Sequence, residues 1–448
     1  MTTDDPIAWL RTAAPWLFAP ELGTCLVGSQ ALAIACRADG IAGPRPGDVD
    51  LAWALAPEAG AALLRERGVF VATTVGNVGR GTLAMRLDGR RIEITTFRSG
   101  PTDASLAQRI ERDLGERDMT IGALAVELAT GRLHDPHGGL RAFRERRIAP
   151  VGDAAERVRE HPIRWLRYYR KAHELGFTLD RAIRSLALPP ALLGEVPAEA
   201  VALELRAMLL RCASPGRCLQ DLHEDGLLAA ISSDLDAQFD GRVAGPQEWH
   251  PEISLALHLI LSLEWTCAQT RDLDERDRLA VHLAVLCHDF GKIVTPVREL
   301  PSHPGHEQLG LPLVAAFLDR WPGLADQRAR QLALHVCELH LEVRRFTELR
   351  PGTQAKLYDR HFRPKDYPID LFALAVAGDV AGRLGRSERG LPTAARVRGD
   401  LEWLRATAGS VDAEAIRAAC GDDVQKLREQ LHEARAKALG AARSLRQA

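Results

Sequence analysis

The pattern of apolar and polar positions changes character once along the 448-residue chain, near Pro150. Before that point, short runs with a period of two are separated by glycine- and proline-rich turns. Successive side chains of a strand point to opposite faces, so such runs predict strands. They fall at Thr24 to Gly28, Val49 to Leu55, Gly68 to Val75, Leu83 to Leu87 and Arg91 to Phe97, with an amphipathic helix around Ala59 to Arg67. Beyond Pro150 helical periodicity takes over, broken at Leu188-Pro189-Pro190, at Gly241 to Pro246 and at Pro301 to Gly305. The stretch from Asp412 to Gln447 carries an apolar stripe on one helical face, the pattern of a docking helix or helix pair. The reading is an α+β multidomain chain. A mixed α/β head spans 1–150, a helical neck and body 151–245, a second helical domain 246–390 and a helical segment 391–448.

Composition narrows the class. With 46% hydrophobic and 26% charged residues the chain can pack real cores. No apolar run reaches the roughly 18 residues of a spanning helix, and Met1-Thr2-Thr3-Asp4-Asp5 lacks the basic start of a secretory signal. The expectation is a cytoplasmic protein with no membrane partner; nothing in the pattern bears on oligomeric state. None of the eight cysteines forms a Cys-x-x-Cys pair, which predicts reduced thiols in cores. A net charge of −2 means that any nucleic-acid surface must be local.

Candidate chemistry clusters in two places. In the head, Gly28-Ser29 follows a predicted strand and precedes a predicted helix, where backbone N–H groups can approach a triphosphate. Asp48 and Asp50 lie two apart on one strand face, and Glu93 alternates with Ile92 and Ile94 on another strand. Three carboxylates brought together repel unless divalent cations neutralise them, and two-metal phosphoryl transfer uses such a cage. Downstream, Glu160, Arg164 and Arg167 stand at i, i+4 and i+7, one face of a helix. The bridge between head and helical part is rich in basic residues (Arg141, Arg144, Arg146, Arg147, Arg157, Arg159, Arg164, Arg167, Arg170 and Lys171) with Trp165, Tyr168 and Tyr169 interleaved. It is the candidate RNA or nucleotide surface, although Trp165 and Tyr169 at i and i+4 read first as helix packing.

The second cluster contains Trp249-His250-Pro251-Glu252, His258, Leu286-Cys287-His288-Asp289-Phe290-Gly291-Lys292, Gly305-His306, His340 and Asp379. An adjacent His-Asp pair at a helix end can place imidazole and carboxylate on one ion, with more ligands arriving from other helices. A nitrogen and oxygen set without cysteine suits Ni²⁺, Mn²⁺, Co²⁺, Fe²⁺ or Mg²⁺ better than structural zinc. An ion with open positions activates water toward phosphoesters.

These segments resemble the tRNA nucleotidyltransferase and poly(A) polymerase family, in the form of the bacterial multifunctional CCA-adding enzymes. There a polymerase-β-type head precedes an HD phosphohydrolase domain. The resemblance also rests on Arg117-Asp118-Met119-Thr120-Ile121-Gly122-Ala123-Leu124, on His134-Asp135-Pro136-His137-Gly138-Gly139-Leu140 and on Asp379-Val380-Ala381-Gly382-Arg383, and runs from about Cys25 to Arg386. It implies template-independent addition of C and A to tRNA or similar RNA 3′ ends from CTP and ATP. Asp48, Asp50 and Glu93 would hold Mg²⁺, and Gly28, Ser29, Arg98, Arg117, Asp118, Glu160, His161, Arg164 and Arg167 would bind the nucleotide. It further implies hydrolysis of 2′,3′-cyclic phosphates and phosphomonoesters at a metal held by His258, His288, Asp289 and Asp379. His306 and His340 would assist with phosphate or metal, and Lys292 would neutralise substrate charge.

The sequence departs from the family pattern where a glycine is Ser29, an Arg-Asp is Leu32-Ala33, an arginine is Glu116, an asparagine is Gly122 and the base-reading aspartate is His161. A histidine cannot copy the paired acceptors of a carboxylate. Two alternatives therefore stand beside the first reading. One is an HD phosphohydrolase whose head only binds RNA or nucleotide; the other is a transferase of altered specificity.

Overall fold

The computed structural model describes residues 5–44, 47–69, 71–72, 81–98, 104–385 and 393–447. The chain forms two compact units, Met1–Leu192 and Leu193–Ala448.

The first unit is built on a seven-stranded sheet. Its strands are β1 (Cys25–Val27), β2 (Asp50–Trp53), β3 (Val71–Ala72), β4 (Thr82–Leu87), β5 (Arg90–Thr96), β6 (Ala125–Glu127) and β7 (Leu133–His134), in the order β3-β4-β5-β2-β1-β6-β7. All described pairings are antiparallel except β2 with β5. Part of the predicted Gly68 to Val75 strand, residues 70 and 73–75, lies outside the described residues.

Asp88 and Gly89, both at positive φ, turn β4 into β5 in two residues, with Leu87 paired to Arg90. That is the turn whose twist matches a hairpin, and it fixes the register that places Glu93. One sheet face supplies Cys25, Val27 and Ala52 to a core with Phe97, Ile110, Leu114, Ala123, Ala125 and Val151. Helix α1 (Pro6–Ala13) precedes the sheet, and α2 (Gly28–Ala38) leaves β1 directly. Helix α3 (Pro57–Glu66) approaches closely because Gly60 carries no side chain: a Cβ there would stand 2.4 Å from the Trp53 ring.

Further helices of this unit are α4 (Leu106–Gly115), α5 (Gly139–Arg144), α6 (Ala154–Glu160), α7 (Ile163–Leu175) and the short α8 (Arg181–Arg184). The single helix expected to carry Glu160, Arg164 and Arg167 is two. Pro162 disfavours helical geometry at the residue before it, and His161 sits extended at φ −146°, ψ 92°. The sheet also continues past the predicted strands, and a two-residue parallel pair joins Arg147–Ile148 to Thr178–Leu179. Runs of two or three residues are too short to show a two-residue period.

The second unit is helical. Helices Leu255–Gln269, Glu275–Cys287, His306–Arg320, Gln327–Arg344 and Ile369–Ala381 surround a core that includes Leu263, Leu283, Val285, Phe290, Val336 and Phe372. The C-terminal stripe forms two helices, Ala413–Cys420 and Val424–Gln447. No described helix is long and apolar enough to cross a membrane. The cysteines are free, and all but Cys267 are buried.

Candidate active sites

In the head, β1 ends at Val27 and Gly28 opens α2 with φ +68°, a conformation that costs glycine nothing. A Cβ at Gly28 would lie 3.7 Å from Asp50 Oδ2, so the start of α2 and the Asp50 carboxylate face each other. The backbone N–H of Gly47 donates to Ser29 Oγ at 3.3 Å, and Gln30 Nε2 donates to the Gly47 carbonyl at 2.8 Å. These two bonds tie the loop carrying Asp48 to the helix start.

Parallel pairing puts Asp50 beside Glu93 in register, and Arg91 holds Glu93 at 2.7 Å. The Asp50 carboxyl is pushed up to about 6, first by burial and then by Glu93 and Asp48, against the pull of Arg117. A cation here would relieve that strain, and an all-carboxylate set suits Mg²⁺. Among the described residues, the sets of three whose ligand atoms all lie within 4.8 Å of one another are in the helical unit.

Of the other predicted nucleotide residues, Arg98, Arg117, Glu160 and Arg164 are tied together through Asp113 and Glu116. Asp113, buried, accepts from the Arg98 backbone N–H at 3.0 Å and from Arg117 at 3.0 Å. Arg98 and Arg164 both donate to the Glu116 carbonyl, at 3.4 and 2.9 Å. Glu160 accepts from Arg157 at 2.5 Å and from Arg164 at 2.6 Å, so its two oxygens are spent on holding arginines. Asp118 accepts from the Met119 backbone at 2.9 Å and lies 3.8 Å from Arg167. His161 is exposed at the end of α6.

Many arginines of the bridge are ion-paired within the chain. Arg144 pairs with Asp39, Arg147 with Glu145 and Asp180, Arg157 with Glu160, and Arg170 with Glu174. Trp165, Tyr168 and Tyr169 are buried and pack the core.

In the helical unit His258, His288, Asp289, Lys292, His306, His340 and Asp379 converge, all buried. Three of the four imidazoles anchor Nδ1 on a backbone carbonyl. His288 donates to Val285 O at 2.7 Å, His306 to His303 O at 2.7 Å and His340 to Val336 O at 3.0 Å, while His258 Nδ1 faces Glu252 Oε1 at 3.0 Å. A carbonyl only accepts, so in the neutral rings Nε2 carries the lone pair. Those lone pairs point at carboxylate oxygens. His258 Nε2 lies 3.2 Å from Asp379 Oδ1, His288 Nε2 3.1 Å from Asp289 Oδ2, and His306 Nε2 3.3 Å from Asp289 Oδ1 without a hydrogen bond. Acceptors facing acceptors call for a cation.

Among these predicted residues two sets bring their ligand atoms within 4.8 Å of one another: His258 with His288 and Asp379, and Asp289 with His306 and His340. Burial disfavours charge on His288, but Asp289 and Asp379 outweigh it and raise its pKa to about 10. A proton takes the place there that a metal would. Burial holds His340 neutral, down at about 3. The donor set fits a divalent transition ion.

Lys292 reaches Asp289 at 2.8 Å, and Arg383 and Arg344 reach Asp379 at 2.7 and 3.7 Å. Glu252 and Arg383 belong to motifs visible in the sequence, yet motif reading assigned them no role. Glu252 bridges His250, at 2.8 Å, and His258, so it fixes the orientation of a ligand.

The profile of the poly(A) polymerase head domain matches residues 36–149. A multifunctional CCA protein of Xanthomonas campestris pv. campestris is 34% identical over 357 residues, covering 78% of this chain and 83% of that one. One from Cupriavidus metallidurans is 34% identical over 344 residues, covering 74% and 78%. The CCA-adding enzyme of Bacillus stearothermophilus, solved in complex with CTP, superposes with a TM-score of 0.63 at 21% identity, covering 98% of this chain and 94% of that one. That of Thermotoga maritima, solved with tRNA, gives 0.60 at 18%, covering 98% and 92%. With its head, its helical unit and this likeness over most of its length, the chain belongs to the family of multifunctional CCA proteins.

Proposed function

We propose that the head adds C and A to the 3′ end of tRNA from CTP and ATP, and that the helical unit hydrolyses phosphoesters at RNA or nucleotide ends. The first part is supported by family membership and above all by the in-register pair of Asp50 and Glu93, with Asp50 facing the start of α2. Asp48, Asp50 and Glu93 would hold Mg²⁺, which when bound neutralises the charge that develops in phosphoryl transfer. Gly28 and Ser29 offer backbone N–H groups to the triphosphate. Glu160 pins the buried Arg164 against the Glu116 carbonyl, which fixes the guanidinium in one orientation beside the other residues of the pocket. His161, Arg98, Arg117, Asp118 and Arg167 complete the nucleotide pocket on this reading.

For the helical unit, His258, His288, Asp289 and Asp379 would hold a divalent ion, which when bound supplies an acidified water. His306 and His340 stand on the other oxygen of Asp289, and Lys292, Arg344 and Arg383 gather positive charge for a phosphate. The HD-type substrates are 2′,3′-cyclic phosphates and phosphomonoesters.

Extension of tRNA lacking its last three nucleotides, with each labelled NTP in turn and Mg²⁺, tests the transferase. Incorporation of C, and of A once C has been added, is expected; G or U in comparable yield would contradict the C/A assignment. A specific observation keeps a second reading alive. Leu32 and Ala33 are buried, so the cation and carboxylate of the family pattern have no counterpart there. A head that incorporates nothing while the helical unit hydrolyses would then be a binding module.

A further inference from the structure

Apolar side chains left in water gather beside the His-Asp centre of the helical unit. Of the nine large hydrophobic side chains exposed among the described residues, five stand within three positions of His250, Glu252, Lys292, His306 or Arg383. They are Trp249, Ile253, Val294, Leu309 and Leu384. Single exposed apolar residues need no explanation, but several gathered at one site mark a surface that binds something.

One of the five is held against the preference of its own backbone. Ile253 has φ +64°, and among the described non-glycine residues at positive φ it alone is β-branched. In that conformation its Cβ crowds the following carbonyl, whereas glycine would adopt the same turn freely. The turn is pinned on both sides: Ile253 donates to the His250 carbonyl at 2.9 Å, and its own carbonyl accepts from the Ala244 N–H at 2.6 Å. Folding alone would favour glycine at this position. A strained isoleucine that is 50% exposed therefore points to a use for its side chain.

Hydrogen bonds tie this turn to the centre from two directions. The Ala244 carbonyl accepts from Lys292 Nζ at 2.7 Å, and that ammonium lies 2.8 Å from Asp289. Glu252 faces His258 Nδ1 at 3.0 Å with Oε1 and accepts the Leu384 backbone N–H at 3.4 Å on Oε2. Trp249, next to His250, is 52% exposed and Leu384, next to Arg383, 47%. The apolar rim borders the groups that the phosphohydrolase reading gives to the phosphate and its metal.

We propose that Trp249, Ile253 and Leu384 seat the base of the nucleotide whose phosphate this centre cleaves. A nucleotide carries a flat, largely apolar group one sugar away from its phosphorus, which matches a cationic centre bordered by an indole and two aliphatic side chains. Stacking on an aromatic face accepts every base. The rim thus selects nucleotides over phosphoesters that lack a base, without choosing among bases. The proposal rests on the phosphohydrolase reading of the helical unit.

The test uses the full chain with Mn²⁺ and two secondary phosphomonoesters, adenosine 2′-phosphate and glycerol 2-phosphate. Trp249→Ala is expected to raise KM for adenosine 2′-phosphate about tenfold, in line with the stacking of one base. Its kcat/KM for glycerol 2-phosphate should stay within about twofold of wild type. Ile253→Gly should also raise the nucleotide KM roughly tenfold, the order for one methylene or two in an apolar pocket. The same change should raise the denaturation midpoint, because it removes the strain. A stabilised Ile253→Gly with wild-type KM, or equal losses on the two esters, would overturn the proposal. Calorimetric binding of adenosine 2′-phosphate separates the subsite from the chemistry. If the wild type cleaves neither ester but Trp249→Ala weakens binding, the subsite stands and the phosphohydrolase reading falls. No cleavage, with binding untouched by either variant, overturns both.

Discussion

At the scale of single residues, the head carries a measurable signature in Asp50. Its carboxyl is pushed up to about 6 by burial and by its acidic neighbours, above the ordinary carboxylate value of about 3.9. The metal-free fold therefore binds this proton more tightly than the unfolded chain does. The contribution of Asp50 to stability is full below about pH 4 and is lost as the pH rises through 6. Asp50→Asn, uncharged and of the same shape, should raise the melting temperature of the metal-free protein at pH 8 and leave it nearly unchanged at pH 4. Mg²⁺ should raise the melting temperature of the wild type more at pH 8 than at pH 5, and have little effect on the variant. Equal Mg²⁺ shifts at both pH values would remove Asp50 from the cation site.

At the scale of elements, glycines let the ligand-bearing segments of the helical unit come close enough to converge. A Cβ at Gly291 would stand 1.9 Å from the His306 carbonyl oxygen and 2.7 Å from the Gly310 nitrogen, and one at Gly382 would stand 2.0 Å from Ser262 Oγ and 2.8 Å from the His258 carbonyl oxygen. Gly291→Ala must push the turn after Asp289 away from His306. Overpacking of this kind costs roughly 1–3 kcal/mol, so a lower denaturation midpoint and loss of bound transition metal by elemental analysis are expected, with C incorporation retained. A variant with wild-type stability and metal content would show that the close approach does not position Asp289.

The sequence was most legible where side chains alternate or recur regularly. Predicted strands such as Leu83 to Leu87, a short apolar run in which every residue but Arg86 is buried, overlap the observed β4. The Glu160 helix was misread because i, i+4 spacing survives a helix break. Glu160 and Arg164 still meet at 2.6 Å across Pro162, although they occupy separate helices. The motif histidines and aspartates were visible as residues, but the supporting roles of Glu252 and Arg383 were not. Those roles depend on which atoms face each other across helices distant in sequence.

At the scale of the whole molecule, the chain joins two compact units, each with its own cluster of charged groups around a cation-ready centre. Its net charge of −2 gives no general attraction to RNA, and much of the arginine in the bridge is matched by neighbouring carboxylates. Recognition of an RNA end must then come from local features rather than a basic surface. The account as a whole predicts that the two chemistries separate by mutation. The direct measurement assays nucleotide incorporation with Mg²⁺ and 2′,3′-cyclic phosphate hydrolysis with Ni²⁺ or Mn²⁺ side by side, in wild type, Asp48→Ala/Asp50→Ala and Asp289→Ala. The head variant should lose incorporation and keep hydrolysis, and Asp289→Ala should do the reverse. Loss of both activities in either correctly folded variant, or a wild type that adds no C or A to a tRNA lacking its 3′ end, would contradict it.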